Sequence, residues 1–253
     1  MLTGIDHVVV AVRSVEAAAA VLERELGIAF TGGGRHDAWG TWNRLAFFGD
    51  TYLELIGVFD ADLVRSAEGN AVSRATLDRL DAGEEGLVTY AVATDAIAKD
   101  VGRLRDEGSA IGLPVAGSRT RPDGEVVRWW TAVPPSLGPD RPPFLIEHEL
   151  VGAEWGAAAR AARSTFGHPD GGAIRLATLE LPVGDPGAVA DRYGRDVGIA
   201  FSEGWRVAVG GQCVVLRPDG ESATVELTAW PGSAPLDVLL FGVRWRRVAD
   251  VEP

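Results

Sequence analysis

The sequence predicts an α+β fold built from repeated βαβββ units. An apolar, β-branched run is followed by a helical segment and then by three strand-like runs, and this order recurs along the chain. A shared pentapeptide tag marks two of the repeats. The chain has 253 residues, of which 46% are hydrophobic, so it is long enough for one large domain or two small ones with a sizeable core.

The first unit is the most regular. "GIDHVVVAV" predicts a strand, and "SVEAAAAVLEREL" predicts a helix that begins after Ser14 and ends at Gly27. After "GIAF" and the glycine-rich stretch "TGGGRHDAWGT", the runs "WNRLAFF" and "TYLELIGV" predict a hairpin that turns at Gly49-Asp50.

Two further units follow the same order. The second has "GLVTYAVAT", "DAIAKDVGRLRDEG", "VVRWWTAVP" and "PPFLIEHEL", and the third has "AIRLATLELPV", "DPGAVADRYGRDVG" and "GQCVVLRPDGESATVELTAW". "LGIAF" in the first unit matches "VGIAF" in the third, which places Thr178 opposite His7. We therefore predict two units in residues 1–150, a helical connector in 151–171 and a third unit in 172–253.

Composition excludes several kinds of partner and site. The formal net charge of −12 argues against nucleic acid or an anionic membrane as partner. Cys213 is the single cysteine, so the chain has no internal disulfide and no thiolate metal cluster. Because the sequence shows no apolar run of membrane-spanning length and no leader pattern, we expect a cytoplasmic protein.

Three acidic residues stand inside strand-like apolar runs. They are Glu54 in "TYLELIG", Glu147 in "FLIEHEL" and Glu226 in "ATVELTAW". Burying a carboxylate without a partner costs several kcal/mol, so each of these acids needs a partner, a ligand or solvent. For Glu226, which has no histidine companion, a hydrogen-bonded or solvent-facing position is favoured.

The opening run "IDHVVVAV" together with the closing run "YLELIG" resembles the vicinal oxygen chelate superfamily, which includes glyoxalase I and bleomycin-resistance proteins. More narrowly, "GGRHDAWGTWNRLAFFGDTYLELIGV", "PPFLIEHEL" and "GHPDGGAIRLATLEL" are similar to its glyoxalase-like domain branch. The resemblance implies that two units pair and curl into a cupped mixed β-sheet. It also implies that the first and last strand of each unit direct ligands onto a divalent metal ion.

The resemblance carries over to part of that ligand set. His7, Glu54 and Glu147 stand at ligand positions, whereas the fourth position falls on Thr89, a poor ligand. One histidine with two carboxylates suits Zn, Mn, Fe or Ni, and it argues against extradiol dioxygenase chemistry, which uses two histidines. The residues alone leave another interpretation open, in which His7 is a core histidine and Glu54 pairs with an arginine such as Arg44.

The glycine-rich stretch predicts the rim of a binding pocket. It lacks the features of a phosphate loop and supplies His36, Trp39, Thr41 and Asn43 for substrate contacts. Trp130, next to Trp129, adds an aromatic wall of the kind that small-molecule sites use. The alternatives are a flexible hairpin connection and tryptophans that fill the core.

We expect a protein that binds a small molecule with adjacent oxygen atoms. As an enzyme it would be a metal-assisted lyase, isomerase or hydrolase in which Glu54 or Glu147 moves a proton beside a carbonyl. The alternative is a non-catalytic protein that binds or sequesters a hydrophobic or cationic small molecule. The third unit either packs on the first cup or pairs with the third unit of a second copy in a homodimer.

Overall fold

The computed structural model describes residues 1–169, 172–229 and 233–249, and these residues form an α+β fold with two sheets. The predicted fold class is confirmed. The first sheet closes into a barrel of eight strands and the second is an open sheet of six strands. No helix among the described residues has both the length and the apolar character that crossing a membrane requires.

The first unit has the predicted order of one strand, one helix and three strands, but its second strand lies in the glycine-rich stretch and not in "GIAF". The elements are β1 (Leu2–Ala11), α1 (Val15–Leu26), β2 (Gly32–His36), β3 (Thr41–Phe48) and β4 (Thr51–Val58). The Ser14 hydroxyl accepts from the Ala17 amide at the start of α1, and Gly27 ends the helix with a φ of 65°. β1 lies parallel to β4, with Val9 opposite Glu54.

The second unit pairs with the first. Two short helices, α2 (Ala61–Ser66) and α3 (Ala71–Asp81), separate the units, and the second unit comprises β5 (Gly86–Thr94), α4 (Ile97–Asp106), β6 (Val115–Thr120), β7 (Val126–Ala132) and β8 (Phe144–His148). The strand order is β1-β4-β3-β2-β6-β7-β8-β5. Antiparallel pairing of β1 with β5 closes one seam, and the pair Arg35–Thr120 closes the other.

Alternation along β1 separates the two sides of the barrel wall. Val8 and Val10 point outward into a core shared with α1, whereas Val9 and Ala11 belong to an apolar cluster inside the barrel. We call this interior, which opens at one end, the cup. Two connector helices, α5 (Gly152–Trp155) and α6 (Ala157–Ser164), pack beside it.

The C-terminal sheet differs from the predicted third unit. It contains β9 (Ile174–Pro182), α7 (Pro186–Val197), β10 (Arg206–Val209), β11 (Gln212–Arg217), β12 (Ala223–Ala229), β13 (Leu236–Leu240) and β14 (Val243–Ala249). The order is β10-β11-β9-β12-β14-β13. β9 is parallel to β11 and antiparallel to β12, so β12 occupies the place that β5 has beside β1.

β12 therefore opens a fourth unit with the hairpin β13–β14, which is not predicted from the sequence. β9 pairs with this β12 strand of its own chain. The order of elements along the chain does not reveal this, because two arrangements give the same order. A strand can close its unit beside the first strand, or it can begin a new unit. The domain boundaries at 150 and 171 stay a prediction.

The two sheets share one apolar core. A single buried cluster contains outward residues of the barrel, the inner faces of α1, α4 and α7, and residues of the open sheet. The Gln212 side chain joins the sheets, because it accepts from the Ile5 amide and donates to the Thr51 hydroxyl. At the β10–β11 turn, Gly210 has a φ of 62° and lies too close to the Thr3 carbonyl for any side chain.

Because the core is shared, truncating Leu179 should destabilise the whole chain. Leu179 is 0% exposed, and Leu179→Ala should lower the free energy of unfolding by about 2–5 kcal/mol in one cooperative urea transition. Leu239→Ala is the matched control, since Leu239 is 61% exposed and the change should stay within about 0.5 kcal/mol. A barrel that unfolds independently of Leu179 would contradict the shared core.

Candidate active site

A bulge in β1 brings two adjacent side chains to the floor of the cup. In the pairing of β1 with β5, Ile5 is opposite Val92 and His7 is opposite Ala91, which leaves Asp6 without a partner. As a result Asp6 and His7 both reach the interior, where they are 5% and 3% exposed. His7 also stacks on Tyr52, with ring centroids 4.4 Å apart.

Asp6 orients two histidines at once. Its Oδ1 accepts from His7 Nδ1 over 2.6 Å and from His148 Nε2 over 3.1 Å. Burial alone would raise the pKa of Asp6, but the charge and hydrogen bond of His148 and the hydrogen bond of His7 more than offset it. The pKa of this carboxyl therefore lies well below its ordinary value. An ionised Asp6 fixes the proton of His7 on Nδ1 and directs Nε2 into the cup.

Glu54 faces that imidazole. Its Oε2 lies 3.4 Å from His7 Nε2, and its Oε1 accepts from Asn43 Nδ2 over 2.6 Å. With the ring proton of His7 on Nδ1, His7 Nε2 carries a lone pair. The oxygen of an ionised Glu54 also carries only lone pairs, so neither atom donates to the other. The 3.4 Å contact therefore sets two proton-accepting groups side by side. The pair forms an acid–base dyad at the floor of the cup.

Arg44 does not neutralise Glu54. Its guanidinium bonds to Glu16 and to the Phe30 carbonyl, on the outer side of the barrel wall. Arg44 is therefore not the partner of Glu54, whereas His7 is a buried histidine hydrogen-bonded to Asp6.

His36 continues the polar chain beyond Asn43. Its Nδ1 lies 2.9 Å from Thr41 Oγ1, and its Nε2 lies 3.5 Å from Asn43 Nδ2. Burial lowers the pKa of His36 to about 4, against the opposing charge of Glu54, and the Arg119 charge lowers it further. His36 is thus neutral at physiological pH. His36, Trp39 and Asn43 line the cup as predicted, whereas Thr41 is fully buried behind His36 and Ser73.

Glu147 does not share the cup with His7 and Glu54, and that prediction is wrong. Its Oε2 accepts from the Ile97 amide over 2.8 Å and so caps α4 outside the barrel. The next residue, His148, points inward instead. The run Phe-Leu-Ile that precedes Glu147 is apolar on both faces of β8, with Phe144 and Ile146 inside the barrel and Leu145 outside. Apolar surroundings therefore could not identify the inward side.

The same one-residue shift applies to the predicted aromatic wall. β7 and β8 pair with Trp130 opposite Glu147 and Trp129 opposite His148. Trp130 is consequently 38% exposed on the outer face, and Trp129 lines the cup. Trp130 cannot serve as the predicted substrate contact.

The connector supplies a wall that the sequence analysis missed. Trp155 of α5 stacks on His148 with ring centroids 3.8 Å apart, and it also contacts Tyr52. Glu154 anchors this wall through a buried ion pair of 2.5 Å with Arg119 of β6. The signal that could have found it is a lone Trp-Glu pair at the head of an otherwise alanine-rich segment.

The cup encloses about 70 Å³ of free space, room for a few water molecules or the reactive part of a small ligand. Its surface is largely aromatic and aliphatic, with polar groups at the floor and on the α3 side. The aromatic lining residues are Trp39, Tyr52, Trp129, Phe144 and Trp155. Such a surface binds a compact, partly apolar molecule and orients it by a few polar contacts.

The donors present do not fit the predicted three-ligand metal centre. His7 Nε2 and Glu54 Oε2 converge, but Glu147 caps α4, and His148 Nε2 is taken by Asp6. Within residues 1–169, 172–229 and 233–249, no group of three or more histidine, cysteine, aspartate or glutamate side chains is arranged to hold a metal ion. We therefore assign no reaction step to a metal.

In the C-terminal sheet, Glu226 is half-buried and accepts from the Thr178 hydroxyl over 3.1 Å. This is the hydrogen-bonded position that the sequence analysis favoured. The pair lies on the open sheet, outside the cup.

Comparison with known proteins agrees with this geometry. The model of a family described as "Glyoxalase-like domain" matches residues 5–197. The chain belongs to the glyoxalase-like domain family. The predicted membership in the vicinal oxygen chelate superfamily is confirmed. No curated protein matches the chain.

One solved structure shows the same fold over nearly the whole chain, and two others resemble part of it. A hypothetical protein from Staphylococcus aureus has 16% identity and a TM-score of 0.80 over 98% of this chain and 100% of that chain. A Streptomyces coelicolor methylmalonyl-CoA epimerase variant in complex with 2-nitronate-propionyl-CoA has 19% identity and a TM-score of 0.43, over 58% of this chain and 97% of its own. Methylmalonyl-CoA epimerase from Mycobacterium tuberculosis has 21% identity and a TM-score of 0.41, over 58% and 88%.

The buried, neutral His36 should make the glyoxalase-like protein less stable in acid. The pKa of His36 is about 4 in the folded chain against an ordinary 6.5. Between these two pH values the unfolded chain therefore binds a proton at His36 that the folded chain does not. Stability is therefore full above about pH 6.5 and is lost as the pH falls toward 4. Between about pH 7 and pH 4.5 the loss from His36 should be roughly 2–3 kcal/mol.

Urea unfolding of the wild type and His36→Gln at both pH values checks this. On acidification, His36→Gln should lose about 2–3 kcal/mol less of its free energy of unfolding than the wild type does. His168, whose pKa burial also lowers, is present in both proteins and cancels in the comparison. Equal pH dependence of the two proteins would show that His36 does not titrate in this way.

Proposed function

We propose that this glyoxalase-like protein is an enzyme of the isomerase or lyase type that moves a proton on the carbon next to a carbonyl of a small molecule. The observation that carries the proposal is the buried Glu54 carboxylate, held by Asn43 on one oxygen and facing His7 on the other. It lies at the floor of an apolar, aromatic cavity. A positioned base in such surroundings suits proton abstraction from carbon.

The step uses side chains of this chain alone. Glu54 accepts the proton from the carbon, and the electron pair of the broken C–H bond moves into the neighbouring carbonyl to give an enolate. Return of the proton to carbon completes an isomerisation, and departure of a group from the next carbon completes a lyase reaction. Asn43 holds the carboxylate in place, and Asp6 holds His7 beside it.

A second candidate function is binding without chemistry. Trp39, Trp129 and Trp155 surround a cavity with a carboxylate at its floor, an arrangement that also suits a hydrophobic or cationic aromatic molecule. A protein of this kind would saturate with the ligand and leave its carbon-bound hydrogens unexchanged.

We propose a cytoplasmic location and a small-molecule ligand, and we retain the homodimer as a proposal. The excess of acidic residues in the sequence supports a protein that associates with neither nucleic acid nor an anionic membrane. Size-exclusion chromatography with light scattering measures the oligomeric state directly.

Glu54→Gln should abolish proton exchange. Wild-type protein in D₂O should exchange the hydrogens next to the carbonyl of 2-oxopentanoate, and the variant should be slower by about 100-fold or more, because an amide cannot accept the proton. Proton NMR of the compound gives the rate. Glu147→Gln is the matched control, a strand glutamate outside the cup, and should stay within about twofold of wild type. Equal rates in Glu54→Gln and wild type would contradict the assignment.

Chelation should leave the exchange rate unchanged. The described residues offer only two converging protein ligands, so dialysis against a chelator should remove bound divalent metal, as elemental analysis would show, without loss of exchange. If chelation abolishes exchange and added Zn²⁺ or Mn²⁺ restores it, the first chemical step requires a metal ion at His7 and Glu54.

A further inference from the structure

The hydrogen-bond directions on the α3 side of the cup follow from one backbone amide. Gly34 N–H donates to Asn43 Oδ1 over 3.0 Å, which fixes the orientation of the Asn43 amide. Asn43 Nδ2 then directs one hydrogen to Glu54 and the other toward His36 Nε2, at 2.6 Å and 3.5 Å. His36 Nε2 is therefore an acceptor, and the proton of this neutral ring lies on Nδ1.

That arrangement leaves one hydroxyl hydrogen without a partner. His36 Nδ1–H donates to Thr41 Oγ1. Thr41 is 0% exposed, and Ser73 Oγ, 3.1 Å away, is the one acceptor that the described residues offer its hydroxyl, so the Thr41 hydroxyl donates to Ser73. Ser73 thereby accepts, and its own hydrogen has no acceptor in the described part of the chain. The residue is 2% exposed and lines the cup. A buried donor without an acceptor is costly unless a ligand or water accepts from it.

The first turn of α3 adds further donors at the same place. Ala71, Val72 and Ser73 begin this helix of 11 residues and line the cup. Their amides have no intrahelical partner. Asn70 precedes them but does not cap them, because its Nδ2 donates to the Val64 carbonyl and no described side chain accepts from the first turn. The helix dipole gives this end a partial positive charge.

The cup therefore has two chemically opposite ends. The Glu54 end presents acceptors and the Ser73 end presents donors, with apolar side chains between them. We propose that Ser73, together with the first-turn amides of α3, binds the carboxylate of the substrate, so that the substrate class is a small organic acid. This inference rests on the proposed function, because it takes the reacting carbon of the substrate to lie at Glu54.

A carboxylate fits this end better than a neutral oxygen. It accepts several hydrogen bonds at once, and bonds to a charged acceptor are stronger than bonds between neutral groups. Arg119, the cationic residue on the cup surface, is neutralised by Glu154. The Ser73 hydroxyl and the first-turn amides of α3 thus form a cluster of donors beside the cavity, and the limited free space favours a compact acid.

The test compares two probes that differ in the carboxylate. 2-Oxopentanoate carries it, and 2-pentanone has a methyl group in its place. In wild-type protein labelled with ¹⁵N, 2-oxopentanoate should shift the amide signals of Ala71, Val72 and Ser73 and saturate, whereas 2-pentanone should bind at least about tenfold more weakly.

Ser73→Ala should weaken 2-oxopentanoate binding by about tenfold and leave 2-pentanone binding unchanged. Ser66→Ala is the matched control, since Ser66 is an exposed helix residue, and it should bind both probes as wild type does. The wild-type amide shifts do not depend on how well Ser73→Ala folds. Equal binding of the two probes, no shift at α3, or wild-type affinity in Ser73→Ala would overturn the proposal.

Glu54→Gln separates this inference from the proposed function. It should still bind 2-oxopentanoate at α3, because the donor end is intact. Binding at α3 with no exchange in wild type would reject the proton transfer alone. Exchange that persists while α3 signals stay unmoved would reject the carboxylate site alone.

Discussion

The buried carboxylate of Asp6 is the interaction on which the cup depends. It belongs to β1 of the first unit and accepts hydrogen bonds from His7 on the same strand and from His148 on β8 of the second unit. One ionised group thus joins the two halves of the barrel and sets the orientation of the imidazole beside Glu54. Removing one partner of a buried charge typically costs 3–5 kcal/mol, so the arrangement is held strongly once formed. The bulge between Ile5 and His7 allows the Asp6 carboxylate to reach His7, because regular alternation would turn the Asp6 side chain to the opposite face of β1.

A second buried charge pair closes the cup from the side. Arg119 of β6 bonds to the Gly33 carbonyl and to Glu154, and Glu154 also accepts from Arg121. These contacts bring Trp155 against His148, so a segment outside the two repeated units completes the wall around the polar floor. The surface of the cup therefore combines barrel strands with the connector helices that follow them.

The polar groups of the cup form a continuous chain from Ser73 to His148. Its members are Ser73, Thr41, His36, Asn43, Glu54, His7, Asp6 and His148. Because each side chain fixes the hydrogen position of the next, the chain has a direction, with a donor exposed at the α3 end and acceptors exposed at the Glu54–His7 pair. That polarity is the basis of the proposal that the cup orients a ligand with an anionic end and a polarised C–H bond.

The sequence by itself determined the first unit of this protein and the recurrence of its strand–helix–strand order. Periodicity, caps and turn residues predict β1, α1, β3 and β4, since these signals are local and each element is bounded by its own turn or cap chemistry. The resemblance to the family implied that His7 and Glu54 converge, and β1 and β4, which carry them, lie side by side. The sequence could not determine which side of β7 and β8 faces inward, as both carry bulky residues on each face, and Glu147 and Trp130 were placed in the cup where His148 and Trp129 stand. Nor could it reveal the bulge at Asp6, the wall from Trp155 or the place of β12 beside β9, because each depends on contacts between residues far apart in the chain. Only the tertiary structure decided these, since strand register and long-range ion pairs are properties of the packed barrel rather than of any local segment.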